Sequence, residues 1–130
     1  MIVVDASAVL EVLLRTPAAA DVDRLLFGAG QTLHAPHLLD VEVAQVVRRY
    51  VAGGEIEEAR GRAALADLVD FPLRRYPHDV LLPRVWDLRN SLTAYDAAYV
   101  ALAEALDAPL VTRDRRLAAV HGHHARVEMV

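Results

Sequence analysis

Short apolar runs alternate with longer stretches of helical periodicity along the chain. Residues 1–4, 32–35 and 71–76, Leu110–Thr112 and residues 126–129 are brief runs bounded by turn or breaker residues, and they predict five short strands. Between them, residues 6–14, 18–27, 38–51, 55–69 and 79–89 predict helices. In the third of these, Leu39, Val43, Val46, Val47 and Tyr50 form an apolar stripe, while Glu42, Gln45 and Arg49 follow at i, i+3 and i+7 on the opposite one. Gly53-Gly54 turns the chain into an αα-hairpin with the next helix. Pro72 and Pro77 bracket the third strand and place it near a sheet edge. Pro83 is tolerable only in the opening turn of its helix.

The densest signal lies in residues 93–117. Thr93 precedes an apolar-periodic run with Asp96 three positions on, a capping-box arrangement that puts Asp96 in the first helical turn. Asp107-Ala108-Pro109 ends that helix, Leu110–Thr112 follows as a strand, and Asp114 stands where the strand yields to another helix near Leu117. The N-terminus repeats the design, with an apolar strand ending in Asp5 before a helix. Strands alternating with helices predict a single domain over residues 1–130. Its expected fold is a three-layer α/β/α sandwich on a small, mainly parallel sheet.

In such sheets ligands bind beyond the carboxyl ends of the strands. Asp5 and Asp114 therefore point toward a common cleft. A lone Asp114 reads as a helix N-cap, a lone Asp96 as a capping residue and a lone Glu42 as part of a solvated face paired with Arg49. Asp5, next to a very apolar strand, is costly unless something pairs with it. Taken together, the four acids make a carboxylate cluster that must hold protons or a cation. Oxygen-only ligands favour a hard cation, Mg²⁺ first and Mn²⁺ as a substitute. Such a site suits metal-assisted phosphodiester hydrolysis.

Composition narrows the choice. Of 130 residues, 55% are hydrophobic, which excludes a disordered chain; cysteine is absent, which excludes disulfide and thiol chemistry. The net charge of −4 argues against a general nucleic-acid coat. All fourteen basic residues are arginine. With no lysine, a receiver-type phosphoacceptor domain, which needs one near its last strand, is excluded. No apolar run approaches membrane-spanning length and no signal-peptide pattern stands at the N-terminus, so a cytoplasmic protein is expected.

DASA from Asp5, PHLLDVEVAQVVRR carrying Glu42, YDAAYVALAEAL carrying Asp96 and LVTRDRRL carrying Asp114 resemble the PIN domains, and more narrowly the VapC toxins of bacterial toxin–antitoxin pairs. The resemblance runs through nearly the whole chain in the family's order and spacing. It implies a Mg²⁺- or Mn²⁺-dependent endoribonuclease, restrained by a cognate VapB-type antitoxin and dimeric. Asp5, Glu42, Asp96 and Asp114 match the family's acids, and Thr112 and Ser7 match polar positions that support the metal site. Many relatives carry a further acid near the last aspartate, where this chain has Arg115 and Arg116. Those two and Arg113 are the candidates for RNA phosphate contacts.

Other readings of the same residues are a DNA- or structure-directed nuclease of this fold and a catalytically weak partner-binding domain. The latter would use the apolar hairpin of residues 38–69. Asp40 reads as structural, Trp86 with Val85 and Tyr95 as core or dimer interface, and the His121-Gly122-His123-His124 cluster fits no strong zinc pattern.

Overall fold

The computed structural model describes residues 1–130. Five strands form one sheet: β1 (Ile2–Val4), β2 (Leu33–Pro36), β3 (Leu73–Tyr76), β4 (Leu110–Thr112) and β5 (Val127–Met129). Their order is β3-β2-β1-β4-β5 and every pairing is parallel. The sheet is thus wholly parallel, and β3 is at the edge its prolines required. Pairing is tight in the centre, where Val3 faces His34 on one side and Leu110 on the other.

The helices are α1 (Ala6–Leu13), α2 (Ala19–Leu26), α3 (Leu38–Ala52), α4 (Glu58–Asp70), α5 (Leu82–Asp87), α6 (Ala94–Leu106) and α7 (Arg115–Ala118). From β1 the chain steps to β2 and β3 in one direction. It then returns across the sheet to β4 and continues to β5 in the other. Right-handed crossovers running in opposite directions put α1–α4 on one face and α5–α7 on the other. The point of reversal lies between β1 and β4, and the crevice at their carboxyl ends is where this topology opens a binding site.

A continuous core of 30 buried residues fills both interfaces, including Val3, Val4, Leu39, Val43, Val100, Leu110 and Val111. α6 is the most deeply sunk helix, buried at every position from Ala97 to Ala103. α3 and α4 approach closely at Gly61. A Cβ there would lie 2.9 Å from Val51 Cγ2 and 3.1 Å from Val47 Cγ1, so glycine is what lets the hairpin close.

Some expectations shift. Residues 79–89 divide into a 3-10 turn (Asp79–Leu81) and α5, with Pro83 in the opening turn of α5. α4 begins at Glu58 rather than residue 55, and β3 at Leu73 rather than residue 71. α6 ends on Asp107, whose φ of 49° is left-handed; this residue caps the helix two positions before Pro109. Trp86 and Tyr95 are each 66% exposed and so do not belong to the core.

Candidate active site

Asp5 follows β1 directly and caps α1, accepting from the Ala8 amide at 3.2 Å. Its Oδ1 also takes the Ser7 hydroxyl at 2.6 Å, and its Oδ2 takes the Thr112 hydroxyl from the end of β4. The residue is 7% exposed. Burial pushes its pKa above the ordinary value; the Ser7, Thr112 and Ala8 donors oppose that shift and the Asp114 charge adds to it. No arginine is paired with it. Asp5 is therefore a buried acid supplied with neutral donors and neighbouring negative charge.

Thr112 is fully buried and links two of the acids: besides donating to Asp5, it accepts from the Asp114 amide at 2.9 Å. Ser7 Oγ is 3.4 Å from Thr112 Oγ1 and accepts from the Arg113 amide at 2.9 Å. These two hydroxyls stitch the strand ends together and fix where the Asp5 carboxylate points. Asp114 caps α7, its Oδ1 accepting from the amides of Arg116 at 2.9 Å and Leu117 at 3.4 Å. The capping role and membership of the acid set coexist in one residue.

Glu42 enters from α3 and is half-buried. Its partner is Tyr99 rather than Arg49: the Tyr99 phenol donates to Glu42 Oε1 at 2.5 Å. Burial raises the pKa of Glu42, the Tyr99 bond lowers it, and the charges of Asp96 and Asp5 raise it again. Tyr99 is itself held protonated by burial and by Glu42. Asp96 lies in the first turn of α6, where its amide donates to the Thr93 hydroxyl at 3.2 Å as the capping motif requires. Its carboxylate is instead drawn to Arg116, 3.0 Å away.

The fold therefore gathers the four acids into one electrostatic neighbourhood at the switch point, with Asp5 at its floor. All the ligating atoms these acids offer are oxygen, a set that suits a hard divalent cation. As the side chains stand, no three carboxylates converge on a single ion-sized point. Tyr99 holds Glu42, and Arg116 holds Asp96 and Asp114.

Beside the acids opens the largest cleft of the molecule, about 550 Å³. Ser7, Glu42, Gln45, Arg49, Tyr95 and Arg113 supply polar groups to its lining. The stripe of Glu42, Gln45 and Arg49 read as a solvated helix face is thus one side of this cleft. Arg113 borders it and pairs with Glu11 at 3.6 Å; Arg115 is exposed on α7, and Arg116 turns inward to the acids.

Tyr99 is the residue sequence reasoning missed. It sits in an unbroken apolar stretch and reads as core, which it also is. The only available signal was a phenol in a fully buried segment, since a buried hydroxyl needs a partner. Asp40 is structural, forming a two-oxygen contact with Arg75 Nε at 3.0 and 2.8 Å. The histidines precede β5, and both ring nitrogens of His123 are buried without a hydrogen-bond partner.

Comparison with known proteins gives consistent results. The sequence matches the family described as PIN domain over residues 2–122. It is 45% identical to Ribonuclease VapC12 of Mycobacterium tuberculosis over 130 residues, covering 100% of this chain and 99% of that one. It is 47% identical to Ribonuclease VapC1 of the same species over 129 residues, covering 98% and 96%. Among solved structures, VapBC2 from Rickettsia felis, crystallised on a DNA fragment of its promoter, superposes with a TM-score of 0.71. That alignment covers 99% of this chain and 98% of the other at 14% identity, a likeness of fold.

Proposed function

This chain belongs to the PIN-domain family, and from that membership and its carboxylate cluster we propose that it is a divalent-metal-dependent endoribonuclease, the toxin of a VapBC-type toxin–antitoxin pair. The observation that carries the chemistry is Asp5, a carboxylate 7% exposed at the switch point, with other acids around it and no cation paired to it. Its 45–47% identical relatives carry the name ribonuclease, which favours RNA over DNA as substrate.

Asp5, Asp96 and Asp114 would hold Mg²⁺ or Mn²⁺, with Glu42 completing the set. When bound, the ion supplies a positive centre that accommodates the phosphate among acids, polarises it and lowers the pKa of water. Thr112 and Ser7 hold the Asp5 carboxylate in direction. Glu42 presents one oxygen to Tyr99 and keeps the other for the attacking water. Burial and the Asp96 and Asp5 charges raise its proton affinity, which suits it to orient that water and receive its proton. Water adds to phosphorus as the bond to the leaving sugar oxygen breaks. Arg113, on the cleft wall, and Arg115, exposed on α7, would meet RNA phosphates.

The chain forms one nuclease domain that acts in the cytoplasm. Val80, Leu82, Trp86 and Tyr95 are between 57% and 71% exposed and supply an apolar surface for a homodimer. The groove between α3 and α4, with Val47, Val51 and Leu65 in its walls, is offered to the antitoxin. No helix is long and apolar enough to cross a membrane.

The test is cleavage of total RNA and of matched single-stranded DNA by the purified chain. Assays with Mg²⁺, Mn²⁺ or excess chelator compare wild type with Asp5→Asn and Asp96→Asn. RNA cleavage that disappears in chelator and in both variants is expected. Asp5→Asn should remain folded, because its new amide can donate to the Thr112 hydroxyl while its oxygen keeps Ser7 and Ala8. Undiminished cleavage in chelator refutes the mechanism; cleavage of DNA in preference to RNA refutes the substrate.

A further inference from the structure

Of the fourteen arginines only Arg116 is paired with members of the acid set. A single nitrogen, Nη2, lies 3.0 Å from Asp96 Oδ2 and 3.4 Å from Asp114 Oδ2. Both oxygens of Asp114 meet donors of its own chain, Oδ1 the α7 amides and Oδ2 the guanidinium. Of the groups around the acids, Arg116 is also the most readily moved. Its side chain is 67% exposed, while Thr112 is fully buried and Tyr99 is 2% exposed. Asp96 and Asp114 thus share one guanidinium nitrogen where a metal ion would otherwise stand between them.

We propose that Arg116 is a resident cation that competes with the divalent ion for Asp96 and Asp114 and so sets the metal affinity of the site. This rests on the metal-dependent reading above. A guanidinium and a divalent ion sharing these two carboxylates would bring like charges within a few ångströms, so one must leave when the other enters. A flexible, half-solvated arginine stem allows the guanidinium to withdraw without disturbing the fold. The chain thus holds a fixed acid, Asp5, and an exchangeable pair, Asp96 and Asp114, whose counter-ion in the metal-free protein is built into α7.

Calorimetric titration of the chelator-treated full chain with Mn²⁺ tests this, comparing wild type, Arg116→Gln, Arg115→Gln and Asp5→Asn. Arg116→Gln is expected to bind Mn²⁺ about tenfold tighter, the effect of removing one partly screened unit charge near the ion. Arg115→Gln, on the same short helix but free of the acids, is expected to shift by less than about twofold. Nitrogen-15 spectra give a second readout: the Arg116 side-chain resonance, identified by its loss in Arg116→Gln, should move when Mg²⁺ is added to wild type. Equal affinities for wild type and Arg116→Gln, weaker binding by Arg116→Gln, or an unmoved Arg116 resonance at saturating Mg²⁺ would each overturn the proposal. If neither wild type nor Arg116→Gln binds an ion, or Asp5→Asn binds as well as wild type, the metal-dependent reading itself fails and this inference falls with it.

Discussion

Tyr99 on α6 reaches Glu42 on α3 across the end of the sheet, its phenol 2.5 Å from Glu42 Oε1. The two helices lie on opposite faces, so this bond carries the position of one layer to the other at the cleft wall. Tyr99 is 2% exposed and its ring is packed in the core, which makes it a rigid anchor for an otherwise mobile glutamate. Tyr99→Phe keeps the packing and removes the donor. The variant should lose about 1 kcal/mol of stability, the net value of one such bond. Turnover on an RNA oligonucleotide should fall about tenfold with little change in KM, as expected when a proton acceptor loses its orientation. Steady-state kinetics alongside thermal unfolding would separate the two effects.

Glu42 also makes stability depend on pH. Its folded pKa is raised above the ordinary value of 4.5, chiefly by burial, so the folded state holds its proton more tightly than the unfolded state. A raised carboxyl destabilises the fold progressively as pH rises from the unfolded pKa through the folded one, and the loss is complete above the latter. In chelator, wild type should therefore lose stability relative to Glu42→Gln as pH climbs from about 4.5 toward neutrality. Melting curves of the two proteins across that window check the sign. Asp5, raised chiefly by burial from 3.8, contributes in the same direction and is common to both.

Thr112 is a buried hydroxyl that both donates to Asp5 and accepts from the Asp114 amide. Thr112→Val matches its shape and deletes both bonds, leaving a buried carboxylate oxygen and an amide short of partners. A loss of about 1–3 kcal/mol is expected, with a parallel fall in metal affinity. Thr112→Ser keeps the hydroxyl and should retain most of both. Chemical denaturation and Mn²⁺ titration of the pair give the comparison.

The α3–α4 hairpin closes on Gly61, where even one methyl group would meet Val51 and Val47. Gly61→Leu overpacks this contact and should destabilise the protein by about 1–3 kcal/mol. Because the groove beside it is the antitoxin surface proposed above, binding of the cognate antitoxin should weaken as well. Thermal unfolding and a binding titration measure the two outcomes.

Much of the fold was legible because its strands end in chemically conspicuous residues. Asp5 and Asp114 each stand one or two residues beyond an apolar run, and a parallel sheet with its reversal between β1 and β4 brings such ends together. Thr93 with Asp96 announced the start of α6, and Pro72 the edge position of β3. What stayed hidden depends on contacts between distant elements. Periodicity assigns Tyr99 to the core but says nothing about Glu42, 57 residues earlier, and Arg116 looks like part of a solvated arginine run until the fold sets it against Asp96. Of the two places read for Trp86 and Tyr95, core or dimer interface, the core falls away: α5 buries none of its six residues, Trp86 among them, and Tyr95 stands exposed in the first turn of α6.

The parallel order of the sheet has a temporal consequence. β4 must be laid beside β1 before Asp114 can join Asp5, and the two aspartates are 109 positions apart in the chain. A growing polypeptide therefore carries no assembled acid cluster while the ribosome is still making its first four-fifths. The pocket at the strand ends comes into being only once β4 has emerged and docked.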